Sequence, residues 1–380
     1  MSDLRDIIMA ETVREGAISF ARFMELALYC PNFGYYEQPD VSPGRKGDFY
    51  TSVSVGELFG ELLGNWIADW IADCGLRIAD YGARGGLQIV EAGAHDGRLA
   101  GDVLRWLRAE RRDLFGVMEY WMIEPSVSRR KMQEEMLREF AGKVRWFESW
   151  EQVPVSGVNG LIFSNELLDA MPAHRLGWDA VKKAWFEWGV TCNGNDFAWI
   201  RMPKMADLEF PHSALRNPQS AIQELLAVLP DGFTTEVCPA AADWWRRAAQ
   251  ALKAGKLMTI DYGLRAEQFF TPGRKEGTLR AYHRHHQSGD LLARPGEQDL
   301  TAQVNFSAIQ AAGEAEGLKT EGLLSQRQFL TGIIEKNCCD KPTVKEWTPS
   351  RVRQFQTLTH PEHLGQLFQV LVQGRDAGVE

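Results

Sequence analysis

The sequence predicts an α/β fold: a mostly parallel sheet covered by helices, with a helical segment before it and a β-hairpin and helical insertion within it. Three observations carry that prediction. The stretch "QIVEAGAHDGRL" at 88–99 runs from an apolar strand (Ile89, Val90) into Glu91, then a turn with Gly93 and Gly97, then an amphipathic helix from Arg98. An α/β sheet builds a ligand crevice in this way, at the carboxyl end of a strand. Three further strand-like runs also end in acidic or polar residues: "YWMIEP" at 120–125, "GLIFSNELLDAMP" at 160–172 and "KLMTIDYG" at 256–263. Strands near 88–92, 119–124, 144–147 and 160–164 alternate with helices near 98–110 and 127–140, which implies parallel pairing through right-handed crossovers.

The elements follow in chain order. Residues 2–30 read as two helices, with Phe20, Phe23, Met24 and Leu28 at helical spacing. Residues 31–56, rich in Gly, Pro, Ser and Tyr, read as a long structured loop, and such loops are often functional. Residues 57–74 return to helix. Residues 173–212 break the α/β alternation with Trp-rich β patterning and an "NG" at 193–194, a hairpin-turn signal. Helices near 216–229 and 239–253 lead to a strand at 256–261. A second polar loop at 271–304, a helix at 306–316 and strands near 318–324 and 366–372 complete the sheet. The expected division is a helical cap with its loop (1–80), a first part of the core (81–172), an inserted subdomain (173–237) and a second part of the core (238–380).

Composition narrows the class. The chain has 380 residues, 44% hydrophobic and 24% charged, enough for a large core. A net charge of −9 argues against nucleic-acid binding, which needs a positive surface. Six cysteines without a C-x-x-C pair read as reduced thiols without a zinc site. "GTLRAYHRHH" at 277–286 lacks metal-ligand spacing, so no metal is expected. No run of 18 apolar residues is present, so no membrane span is expected. The N-terminus carries both charge signs and no apolar signal region, which points to a cytoplasmic protein.

The turn after the first strand is not G-x-G-x-x-G. A carboxylate at Glu91 repels a pyrophosphate but suits a sulfonium or an amino group, which favours S-adenosylmethionine over a nicotinamide dinucleotide. Glu124, at the end of the next strand, is placed to accept both ribose hydroxyls. Gly47, Asp48, Thr51 and Ser52 are candidates to cover the cofactor beside Gly93 and Gly97. Asn165, Glu166 and Asp169 follow "LIFS" and are candidate catalytic groups on the substrate side. The plainer reading is a helix N-terminus capped by Asn165. Asp261 joins them as a catalytic candidate. Tyr262, Arg280, Tyr282, Asp299 and Thr301 are candidates to touch substrate. A nicotinamide oxidoreductase on a similar sheet is the rival that the absent glycine fingerprint disfavours.

These pieces, in this order, resemble the MidA family, bacterial and mitochondrial proteins similar to the complex I assembly factor arginine methyltransferase. The matching segments are "FGYY" at 33–36, "GDFYTS" at 47–52, "FGELLG" at 59–64, Glu91–Gly93–Gly97, "NELLDAMP" at 165–172, "IDYG" at 260–263, "GTLRAY" at 277–282 and "PGEQDLTAQVNF" at 295–306. The resemblance runs over residues 15–335. It implies a Rossmann-like class I S-adenosylmethionine-dependent methyltransferase acting on a protein arginine, with a protein partner such as a respiratory complex subunit. Glu166 and Asp169 would then grip the guanidinium, with Asp261 next and Asn165 orienting. The chain has Val53–Ser54 where the family usually has Pro-Glu, His95 where it has Gly, and Gln303 and Asn305 where it has His and Asp. These departures point to a rival reading, a catalytically silent S-adenosylmethionine-binding assembly factor. The run "LGQLFQVLV" at 364–372 reads first as a last core strand and second as a homodimer contact.

Overall fold

The computed structural model describes residues 3–38, 51–73, 86–208, 219–283, 286–340 and 347–376. Its centre is a sheet of seven strands: β1 (Leu87–Ala92), β2 (Met118–Ile123), β3 (Val144–Phe147), β4 (Val158–Asn165), β5 (Leu252–Leu264), β6 (Lys319–Ser325) and β7 (Phe368–Arg375). The spatial order is β6-β7-β5-β4-β1-β2-β3. Strands β1 to β5 pair in parallel, and β7 runs antiparallel between β5 and β6. A short strand, Val304–Asn305, extends the sheet beside the end of β5. β1 is buried along its whole length, as a strand covered on both faces must be. The alternation of Ile89 and Val90 shows the two layers. Ile89, Tyr120 and Phe163 pack under helices Leu58–Asp73 and Arg98–Glu110. Val90, Trp121 and Ile162 pack under helices Pro239–Ala251 and Phe306–Ala315.

The chain builds outward from β1 to β3 in one direction and from β4 to β5 in the other. The order reverses between β1 and β4, and a crevice opens at the carboxyl ends of those two strands. Their register depends on glycine. A Cβ on Gly160 would lie 2.1 Å from the Gln88 carbonyl oxygen, and one on Gly255 only 1.9 Å from that of Gly160. Both residues also hold φ values, 151° and 120°, that a side chain resists.

A second sheet combines His174–Asp179, Ala184–Asn193, Asp196–Arg201 and Thr234–Val237 with Ile18–Ser19 from the N-terminal segment. Helices Leu4–Glu15 and Phe20–Tyr29 pack on it through Ile8, Phe20, Phe23 and Val190. Asn193 pairs with Asp196, so the hairpin turns on Gly194 and Asn195, one residue beyond the expected "NG". The helix expected over 127–140 stops at Met136 and continues as a 3-10 turn, Arg138–Phe140. The loop expected at 271–304 contains a small antiparallel sheet of Arg280–His283, His286–Ser288 and Asp299–Thr301. Strand β5 continues past Asp261 to Leu264 instead of ending there. The run 364–372 supplies a single helical turn, buried at Leu364 and Gly365 and exposed at Gln366 and Leu367, and the start of the core strand β7. No described helix is long and apolar enough to cross a membrane.

Gly255→Ala places a methyl group against backbone that cannot yield. It is expected to cost about 3 kcal/mol or more, read as a lower urea midpoint, whereas Gly194→Ala on the exposed turn costs less.

Candidate active site

The crevice is a cavity of about 1100 Å³. Its walls come from the residues after β1, β2 and β3 on one side and from those after β4 and β5 on the other. Residues 29–37 and the 357–368 segment complete them.

On the first side, Gly93 has φ 72°, and a Cβ there would meet Leu167 Cδ1 at 2.7 Å. His95, where the family usually has glycine, also has a left-handed φ of 49°. Its Nε2 lies 3.0 Å from Arg129 Nη1, and its carbonyl accepts from Gln133 Nε2 at 3.0 Å. Gly97 starts the following helix at φ 82° and lies off the cavity wall. Glu124 Oε1 accepts from the Ser126 amide at 3.0 Å, and Oε2 accepts from Gln133 Nε2 at 2.9 Å. Burial raises the Glu124 pKa against the pull of those donors. Each oxygen keeps a further lone pair, which suits a diol. The Tyr120 hydroxyl donates to Glu91 Oε2 at 2.6 Å, and burial pushes the Glu91 carboxyl up to about 7. Trp150 Nε1 and Asn165 Oδ1 are buried beside the cavity without a hydrogen-bond partner among the described residues. Buried polar atoms rarely stay unpaired, so an unmet donor on the first side and an unmet acceptor on the second indicate a polar ligand between them. Two carboxylates, a close backbone turn and these unmet groups fit S-adenosylmethionine, which carries a cationic sulfur, a ribose diol and an adenine.

The second side is acidic. Glu166 holds a left-handed φ of 52°, fixed by its amide donating to the Ile260 carbonyl at 2.9 Å. Its Oε1 accepts from the Ser52 amide and from Asn165 Nδ2, each at 3.0 Å. Burial, with the charges of Asp261 and Asp299, pushes Glu166 up to about 8. Burial and the surrounding carboxylates also hold Asp169 well above its ordinary range. Asp299 accepts from the Tyr36 hydroxyl at 2.9 Å. Tyr262, Tyr282 and Thr301 line the same wall.

Besides Gly97, three described candidates do not face the cavity. Asp261 is fully buried and accepts from the amides of Leu167 (3.2 Å), Leu168 (2.8 Å) and Tyr262 (2.7 Å). Those three amides hold its carboxylate against the neighbouring turn, and it does not line the cavity. Arg280 Nη1 donates to the Leu279 carbonyl. Ser52 is buried and acts through its amide on Glu166, while its hydroxyl donates to Gln326. Thr51 reaches the wall and forms a reciprocal cap with Ser54, one of the departing residues. Asn305 caps helix Phe306–Ala315 by accepting from the Ala308 amide, as an aspartate would. Gly47 and Asp48 lie outside the described residues. Tyr29, Tyr36, Arg129 and Phe368 also line the cavity; the "FGYY" segment was the only signal of the Tyr36 contribution.

A family model for S-adenosyl-L-methionine-dependent methyltransferases matches residues 62–324. The chain belongs to this family, the MidA family. The solved structure of a Burkholderia thailandensis protein bound to S-adenosyl-homocysteine is 30% identical, with a TM-score of 0.79 over 98% of this chain and 92% of that one. The Drosophila melanogaster "Protein arginine methyltransferase NDUFAF7 homolog, mitochondrial" is 28% identical over 96% of this chain and 83% of its own length. The Danio rerio "Protein arginine methyltransferase NDUFAF7, mitochondrial" is 26% identical over 95% of this chain and 84% of its own length. This MidA-family chain is thus an S-adenosylmethionine-dependent methyltransferase with a mixed α/β fold.

The raised carboxyls set an unusual pH dependence. The folded protein keeps protons on Glu91 and Glu166 up to about 7 and 8, whereas the unfolded chain releases them near 4.5. Over that window the folded state binds more protons, so stability falls as pH rises. Urea midpoints of the ligand-free MidA-family protein are expected to drop between pH 5 and pH 8, and less so in Glu166→Gln.

Proposed function

We propose that the protein transfers a methyl group to a guanidinium nitrogen of an arginine in a protein target. The observation that carries this reading is the acidic, tyrosine-walled side of the cavity. Burial, with Asp261 and Asp299 close by, raises the proton affinity of both Glu166 and Asp169, and Glu166 adds to that of Asp169. A cation entering there relieves the repulsion. A guanidinium suits the site better than an ammonium: its planar fork offers five donors to several carboxylates, and its faces stack on aromatic rings. The relatives named as protein arginine methyltransferases support the same reading at modest identity.

The cofactor, when bound, supplies an electrophilic methyl on a sulfonium. Glu91, the Gly93 turn and Glu124 would hold it. The chain's own residues do the remaining work. A guanidinium stays protonated at neutral pH. Glu166 and Asp169 accept its N–H groups, turn one nitrogen toward the first side and fix its plane. Such positioning can contribute roughly 7–11 kcal/mol to a displacement. The nitrogen sheds its proton as it gains a methyl. A carboxylate with raised proton affinity is suited to take it, and Glu166 Oε2 is the candidate because Oε1 already accepts two donors.

The test uses radiolabelled S-adenosylmethionine with an arginine-containing peptide and its lysine-substituted twin, followed by amino-acid analysis. Label is expected in methylarginine only. Glu166→Gln should lower kcat/KM about 10–100-fold, the value of one charged hydrogen bond, with S-adenosylhomocysteine affinity unchanged. Label on lysine, or full turnover by Glu166→Gln, would overturn the assignment.

A further inference from the structure

Tyr36 touches both sides of the cavity. It lies in the 3-10 turn Tyr35–Glu37, far from the sheet in sequence. Its carbonyl accepts from Arg129 Nε at 2.8 Å, and Arg129 also meets His95 Nε2 at 3.0 Å. Its hydroxyl donates to Asp299 Oδ1 at 2.9 Å, and its ring stacks on Tyr29 at 5.6 Å. The next residue, Glu37, accepts from the hydroxyls of Ser126 and Ser128 at 3.0 and 3.2 Å. Gln133 ties the same region together from below by donating to both the His95 carbonyl and Glu124. A continuous path of hydrogen bonds therefore runs from the turn after β1, through Arg129 and Tyr36, to a buried carboxylate on the acidic side.

We propose that Tyr36 is a positioning residue that couples occupation of the cofactor side to ordering of Asp299 and its strand. A ligand held by Glu124 and the 93–97 turn fixes His95 and Gln133. Those fix Arg129, which holds the Tyr36 backbone, and the phenol then holds Asp299. Two sites joined through one ordered element share a coupling free energy, and that coupling is reciprocal. The cofactor thus prepares the acidic side before a target arrives. The path depends on His95, so the residue that departs from the family's usual glycine becomes part of the device. Calling the acidic side the target side rests on the function proposed above; the coupling itself does not.

Hydrogen–deuterium exchange separates the two ideas. S-adenosylhomocysteine is expected to slow exchange of the Leu300 and Thr301 amides in the wild-type protein about fivefold or more, the lower range of measured couplings. Tyr36→Phe keeps the ring and the carbonyl but loses the phenol bond. It should abolish that protection while leaving protection of the 93–97 turn intact. Asp299→Asn keeps an acceptor for the phenol and should retain the effect, an outcome that loss of packing alone does not produce. Equal protection in wild type and Tyr36→Phe would overturn the coupling. A parallel titration with ethylguanidinium tests the other reading. If protection depends on Tyr36 but ethylguanidinium fails to bind, the coupling stands and the arginine assignment falls.

Discussion

The acidic side depends on one buried interaction, the Asp261 carboxylate of β5 gripping the backbone after β4. It accepts from Leu167, Leu168 and Tyr262. The Leu167 and Leu168 amides in the turn find their acceptor in that carboxylate, and an unpaired buried N–H costs about 1–3 kcal/mol. One carboxylate removes that cost for the amides it holds. The same grip lets Glu166 keep a left-handed backbone that a glutamate otherwise avoids. The segments "NELLDAMP" and "IDYG" are separate motifs in the sequence. In the fold they are donor and acceptor of a single unit.

Sheet topology then decides where charge collects. Parallel strands send all their carboxyl ends to one edge, so polar groups that end β1, β2 and β4 converge although they are far apart in the chain. The reversal of strand order between β1 and β4 splits that edge into two sides. The first carries Arg129 and His95 beside its carboxylates, while the second carries carboxylates and tyrosines. The contrast in charge across a single cavity is a direct result of strand order.

Much of this was legible in the sequence because the signals were local. The turn of Gly93, the strand-end Glu124 and the cluster 165–169 each announce themselves within a few residues, and each lies where periodicity put it. The Tyr36–Asp299 bond spans 263 positions, and no local pattern records such a contact. Asp261 looked like a strand-end group because "IDYG" carries turn chemistry. The edge pairing with Val304–Asn305 carries the strand on to Leu264, and the amides of Leu167, Leu168 and Tyr262 hold the carboxylate. Likewise Ile18 and Ser19 gave no strand signal, since two residues become a strand only when Val190 and Gly189 offer them a partner. Among the departing residues, Ser54 and Asn305 serve as helix caps, a duty several polar residues can fill.

The position of β7 has a consequence for biosynthesis. It closes the sheet between β5 and β6, yet about a hundred residues separate it from the end of β5. At ordinary rates of translation that interval lasts roughly 5–20 s. Throughout it, β5 presents an open, apolar edge of the kind that recruits foreign strands. The wall of the cavity that includes Leu364 and Phe368 is missing for the same period. A nascent chain therefore passes through its most aggregation-prone stage just before it can first enclose a substrate, and the two conditions end together when β7 slots into place.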